Sequence, residues 1–166
     1  KNLKANTIPV TSNKKKSDFV KKFTAENIII YNKLKKNNFN KYKNNIDVII
    51  DINGLLKTDN ILSSLKWGGK YMIIGFIDKN ITKISTNYIL IKGLQIIGVR
   101  SGEFLRQNVE IKTVVMQNVL NYLKMKSNQD FISENLDFSE LKKGLSKLIS
   151  RKSMGKIIIK TRNFDE

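Results

Sequence analysis

The chain reads as an α/β protein built on a doubly wound parallel sheet, and three observations carry that reading. Short runs rich in Ile and Val recur: Ile28-Ile29-Ile30, Ile46-Asp47-Val48-Ile49-Ile50, Tyr71-Met72-Ile73-Ile74, Leu94-Gln95-Ile96-Ile97-Gly98-Val99 and Ile157-Ile158-Ile159. They are mostly continuous rather than alternating, which is how strands covered on both faces read. Segments of helical spacing lie between them, and glycines stand where several of the runs end.

The elements follow in order. Residues 1–11 read as the tail of a helix, a turn and a strand. Residues 12–23 form a helix whose inner stripe is Phe19, Val20 and Phe23, with lysines outside. A strand at 28–30 comes next, then one at 46–53 that Gly54 closes. Residues 58–65 place Ile61, Leu62 and Leu65 on one helical face. Gly68-Gly69 is expected as the turn before a strand at 70–74, which Gly75 ends. After the strand at 94–99, residues 108–125 carry Ile111, Val114, Val115, Leu120 and Leu123 at helical spacing. Ser139 is the expected N-cap of a helix over 139–149, striped by Leu141, Leu145, Leu148 and Ile149. The last strand is centred on 157–159.

Composition narrows the chemistry. The 166 residues are one domain's worth of chain, and 40% are hydrophobic with a single Pro, which excludes a disordered or collagen-like chain. There is no Cys, so disulfide scaffolds and thiolate chemistry are ruled out here, and no His, which removes the usual zinc ligand and imidazole acid–base work. No apolar run reaches the roughly 18 residues of a membrane span. The sequence begins at Lys1 and is read as a piece of a longer protein, with a cytoplasmic location expected.

The net charge is +17, from 31 basic and 14 acidic residues. Such a charge would suit a nucleic acid or another anionic partner. Only four of the basic residues are Arg (Arg100, Arg106, Arg151 and Arg162), and the abundance of Lys, Asn and Ile matches an A- and T-rich coding sequence. A nucleic-acid surface would favour Arg, whose planar fork grips phosphate and guanine at two points, with aromatics among the basic clusters. A nucleic-acid-binding role is therefore the less favoured alternative.

Ligands of doubly wound sheets bind beyond the carboxyl ends of the strands. The stretches to inspect are thus 11–16, 31–33, 51–54, 75–78 and 99–102. A dinucleotide domain usually opens on a strand, a glycine-rich turn and a helix whose N-terminus faces the pyrophosphate. Neither GxGxxG nor a Walker-type sequence occurs here. The fold expected is a Rossmann-like doubly wound parallel sheet that lacks its first strand and glycine loop.

In that order of elements, four blocks resemble the quinone oxidoreductase (zeta-crystallin-like) branch of the medium-chain dehydrogenase/reductase superfamily, in its C-terminal half. Asn44-Asn45-Ile46-Asp47-Val48-Ile49-Ile50-Asp51-Ile52-Asn53-Gly54 is similar to "GVDVVLDxVGG", and Ser63-Ser64-Leu65-Lys66-Trp67-Gly68-Gly69-Lys70-Tyr71-Met72-Ile73-Ile74-Gly75-Phe76 to "SLxxLxxGGRLVxIGF". Leu90-Ile91-Lys92-Gly93-Leu94-Gln95-Ile96-Ile97-Gly98-Val99-Arg100-Ser101-Gly102 resembles "LLKxxxVVGVxxG", and Ser150-Arg151-Lys152-Ser153-Met154-Gly155-Lys156-Ile157-Ile158 resembles "SRxxxGKVV". Each block is weak alone; their shared order and spacing are specific.

The resemblance implies hydride transfer from NADPH to a quinone or enone, without zinc, in chemistry that the cofactor carries. It implies cofactor-binding roles at Ser12, Lys16, Tyr31, Asn53, Gly54, Gly75, Phe76, Val99, Arg100 and Arg151, and no catalytic residue in this stretch. Lys16, with Lys14 and Lys15 beside it, would face the adenosine 2′-phosphate, where a cation favours NADPH over NADH. Tyr31 would pack near the adenosine end. Asn53 and Gly54 would let backbone approach the cofactor, although Asp-Ile-Asn-Gly departs from Asp-x-Val-Gly. Gly75 and Phe76 would lie near the nicotinamide, with Ile77-Asp78-Lys79 departing from the small or polar residues expected next. Val99 and Arg100 would flank the carboxamide, and Arg151 the phosphates.

The same resemblance divides the chain at about residue 150. Residues 1–150 are a partial nucleotide-binding domain, and 151–166 return to a catalytic domain upstream of this stretch. Alone, the stretch is expected to be catalytically silent and to bind NADPH weakly. A homodimer is expected through strand 94–99, paired antiparallel across a two-fold axis. An enoyl-thioester reductase and an inactive Rossmann interaction subunit remain as alternatives.

Overall fold

A computed structural model of the chain describes residues 5–23, 27–31, 39–54, 61–76, 81, 83–124 and 131–161. The expected helical residues 58–60 and the stretch 77–79 fall outside them. The chain forms two compact units: one from residues 1–31 and 110–166, the other from 32–109.

The second unit is organised by a three-stranded parallel sheet of β3 (Ile46–Asp51), β4 (Leu65–Ile73) and β5 (Gln95–Gly98), in that spatial order. Two helices flank β5 in sequence, α2 (Thr86–Lys92) and α3 (Ser101–Gln107). The core holds Ile61, Leu62, Leu65, Tyr71 and Leu94, with Ile46, Ile49, Ile73, Tyr88 and Ile96 packed against it. Lys92 ties α2 to the start of β4: its ammonium donates to the carbonyls of Leu62 at 3.1 Å, Ser63 at 2.9 Å and Leu65. Burial, followed by repulsion from Lys43, lowers its pKa below the ordinary lysine value.

Two sequence expectations are corrected in this unit. Ile61 and Leu62 are helical, but Leu65 already begins β4. Gly68-Gly69 lie inside that strand and form no turn before it. The pairing slips there, with Ile46 opposite Leu65 but Val48 opposite Lys70, so β4 accommodates extra residues in a bulge. Gly68 takes the left-handed φ of +70° that such an irregularity needs. Helices α2 and α3 had no counterpart in the sequence reading.

In the first unit, β1 (Val10–Thr11) pairs parallel with β2 (Ile29–Ile30), and β6 (Ile132–Asp137) pairs parallel with β7 (Lys156–Lys160). Helix α1 (Lys14–Lys21) follows β1 directly, capped by Asn13. Its Phe19 meets Phe23 edge to face at 5.3 Å, and Phe23 stacks on Phe131 at 4.8 Å. Helix α4 (Val109–Lys124) begins at the boundary between the units and buries no side chain. Of its expected stripe, Ile111 and Val115 are half-buried, while Val114, Leu120 and Leu123 are exposed.

Helix α5 (Leu141–Ile149) also departs from expectation. Ser139 does not cap it; it sits in a 3₁₀ turn, Phe138–Glu140, and the cap position falls on Glu140 without a side-chain bond. The residue turned onto the strands is the buried Gly144, while Leu145, Leu148 and Ile149 face solvent. A methyl at Gly144 would lie 3.3 Å from Leu136, 3.4 Å from Ile159 and 3.7 Å from Ile157. Close approach to the β6–β7 pair selects the small residue over the apolar stripe.

Candidate functional site

The carboxyl ends of β3, β4 and β5 stand in register. Asp51 lies opposite Ile73, and Ile73 opposite Gly98. The ladder runs one step further, with Ile74 N–H donating to Asp51 O and Val99 N–H to Ile73 O, each at 2.8 Å. Every expected site residue of this unit follows on that edge: Asn53 and Gly54 after β3, Gly75 and Phe76 after β4, Val99 and Arg100 after β5.

Their surroundings differ. Gly54 is buried, with φ +65°. Gly75 has an ordinary φ, and among the described residues a Cβ there would meet only Ile52 O, at 3.7 Å. Phe76 is exposed and Val99 half-buried. The Arg100 side chain is 84% exposed, and Glu103 holds it at 4.0 Å. The same carboxylate pairs with Arg106 and accepts from Gln107 at 3.1 Å, so a single negative charge serves two guanidiniums.

Sequence reasoning did not assign a role to the buried pair beneath this edge. Asp51 accepts the backbone N–H of Asn53 at 2.9 Å and of Gly54 at 2.8 Å on Oδ1, and the Tyr71 hydroxyl at 2.6 Å on Oδ2. Burial, then the hydrogen bond and the charge of Asp51, push the Tyr71 phenol far above its ordinary pKa. The available signal was an acidic residue ending an apolar strand.

The other unit has its own carboxyl edge. Val10 and Thr11 pair with Ile29 and Ile30, so Ser12 and Tyr31 leave their strands side by side. Asn13 Oδ1 accepts Lys16 N–H at 3.0 Å, and Asn13 Nδ2 donates to Ser12 Oγ at 3.3 Å. The first turn of α1 is Lys14-Lys15-Lys16 with no acidic residue, although Lys14 pairs with Asp18 at 3.0 Å. Positive side chains at a positive helix end are poorly placed unless an anion joins them. Thr11 is 8% exposed and its Oγ1 has no hydrogen-bond partner among the described residues. An unsatisfied buried hydroxyl beside a cationic helix start fits a phosphate-bearing group.

Arg151 lies elsewhere in this unit, in the turn that ends α5 and before β7. Arg151 N–H donates to Leu148 O at 3.0 Å and Lys152 N–H to Lys147 O at 3.0 Å. This helix-ending pattern normally places Gly at the left-handed position, yet Arg151 occupies it with φ +56°.

Parallel strands alternating with helices in this way define the Rossmann-like α/β class. A family model described as "Zinc-binding dehydrogenase" matches residues 1–121, and the chain belongs to that family. Quinone oxidoreductase-like protein 2 of Bos taurus is 25% identical over 114 residues, 69% of this chain and 33% of that protein. The chain thus spans about a third of the length of the curated relatives it matches. A probable oxidoreductase from Mycobacterium abscessus superposes with TM-score 0.72 at 18% identity, over 93% of this chain and 46% of that one. E. coli K-12 YHDH with bound NADPH gives TM-score 0.69 at 14% identity, over 92% and 46%. The resemblance to the quinone oxidoreductase branch is borne out.

The family description names zinc, and the residues present do not fit it. The chain has no His or Cys, and the described residues contain no cluster of three or more His, Cys, Asp or Glu. No described helix is long and apolar enough to cross a membrane.

Proposed function

We propose that this stretch is the nucleotide-binding part of an NADPH-dependent oxidoreductase that reduces a quinone or enone. The observation that carries the reading is the in-register carboxyl edge of β3, β4 and β5, with turns at Asn53-Gly54, Gly75-Phe76 and Val99-Arg100. The NADPH in the E. coli neighbour and the names of the curated relatives support the choice of cofactor and substrate class.

When bound, the cofactor supplies a hydride to the conjugated acceptor. The residues of this chain bind and orient it. Lys16, helped by Lys14 and Lys15, takes the 2′-phosphate, with Ser12 and Tyr31 at the adenosine end. Gly54 and Gly75 let backbone come close, Phe76 covers the ring, and Val99 with Arg100 flanks the carboxamide. Arg151 binds phosphate, which accounts for a charged side chain kept at a left-handed position. Residues 151–166 return the chain to a catalytic domain, and β5 pairs two copies into a dimer. By this reading the stretch alone is inactive, a point that assay for quinone reduction checks directly.

The test is calorimetric titration of the chain with NADPH and NADH. NADPH is expected to bind weakly but at least about tenfold better than NADH, and Lys16→Glu to erase the difference. Equal affinity for both nucleotides, or none for either, overturns the reading.

A further inference from the structure

We infer that Tyr71 is a positioning residue: through the Asp51 carboxylate it fixes the turn Asn53-Gly54 at the edge of the sheet. This rests on the proposed nucleotide-binding role of that turn. Ile49 lies opposite Tyr71 in the β3–β4 ladder, and side chains two apart on a strand share a face. Asp51 is therefore the diagonal neighbour of Tyr71, within reach of an aromatic side chain. The register itself aims the phenol at the carboxylate.

The two oxygens of Asp51 divide the work. Oδ1 holds both turn amides, and Oδ2 is anchored by Tyr71 across the sheet. Tyr71 is 1% exposed and Asp51 5%. A carboxylate buried to that degree is held in place only while donors satisfy it. Without the hydroxyl, Oδ2 loses a charge-assisted bond and the carboxylate must swing toward water. That movement loosens its hold on Asn53 and Gly54.

Tyr71→Phe removes the hydroxyl and keeps the core volume. Hydrogen exchange on the full chain reads the amides singly, and NADPH titration reads affinity. We expect exchange at Asn53 and Gly54 to accelerate about tenfold, with Ile74 and Val99 unchanged, and NADPH affinity to fall by a similar factor. Asp51→Asn keeps an acceptor for the turn and an amide facing the phenol oxygen, and should preserve protection; Asp51→Ala should lose it. Unchanged exchange at Asn53 and Gly54 in Tyr71→Phe, or equal acceleration at all four amides, overturns the latch. A loosened turn with undiminished NADPH affinity overturns its role toward the cofactor. Wild-type chain that binds no NADPH sinks the nucleotide reading instead, while the exchange pattern still decides the latch.

Discussion

Gly75→Ala separates the fold from the ligand at one atom. Among the described residues a methyl there meets nothing nearer than Ile52 O at 3.7 Å, an ordinary contact, and the backbone is not left-handed. The folded state accepts it without strain, while the unfolded chain loses freedom. Stability should rise by about 0.4–1 kcal/mol. A nicotinamide packed against the Gly75 backbone would instead meet a carbon about 1.5 Å further out, enough to forfeit much of its contact energy. Affinity for NADPH should fall at least about tenfold, or about 1.4 kcal/mol. Urea unfolding and NADPH titration of the same preparation thus move in opposite directions. Unchanged affinity in a stabilised variant refutes close approach at Gly75, and a loss of stability refutes the open geometry around it.

Three further outcomes follow from the same reasoning. Arg151→Gly relieves a left-handed non-glycine residue, so it should stabilise the chain by about 1 kcal/mol in urea and weaken NADPH binding; stabilisation with full affinity would leave Arg151 only a helix-ending role. Tyr71 has a folded pKa raised above its unfolded value of about 10, so its contribution is whole below that pH and is lost as pH rises past it. The stability gap between wild type and Tyr71→Phe should therefore narrow from about pH 8 to about pH 11, and a constant gap would refute the assignment. Ile97→Lys places a charge on the outer strand β5, so light scattering should find wild type dimeric and the variant monomeric; identical masses dismiss strand pairing.

The strands were legible where Ile and Val dominate. Ile46–Ile50 and Ile157–Ile159 announce themselves because β-branched residues are enriched in strands, although Val48, Ile50 and Ile158 are exposed and the strands are not covered on both faces as expected. Strand β6 escaped because Ile-Ser-Glu-Asn-Leu-Asp is mostly polar and is held by its neighbour β7. Helix α2 escaped because its seven residues include Thr, Tyr and two Ile, a weak helical signal. At the site, the rule that ligands gather beyond strand ends located Asn53, Gly75 and Val99 on one edge. The partnership of Asp51 and Tyr71 was invisible because it depends on register, which the β4 bulge shifts.

The nesting of the two units carries a consequence for biosynthesis. Residues 32–109 make one body from an uninterrupted stretch, whereas the other gathers both flanks. On a ribosome the inner body can mature as soon as it emerges. Phe23 must wait for Phe131, more than a hundred positions later, before their rings stack. Residues 1–31 thus wait through the synthesis of residues 32–109 for their partners in 110–166, and chaperone dependence should concentrate there.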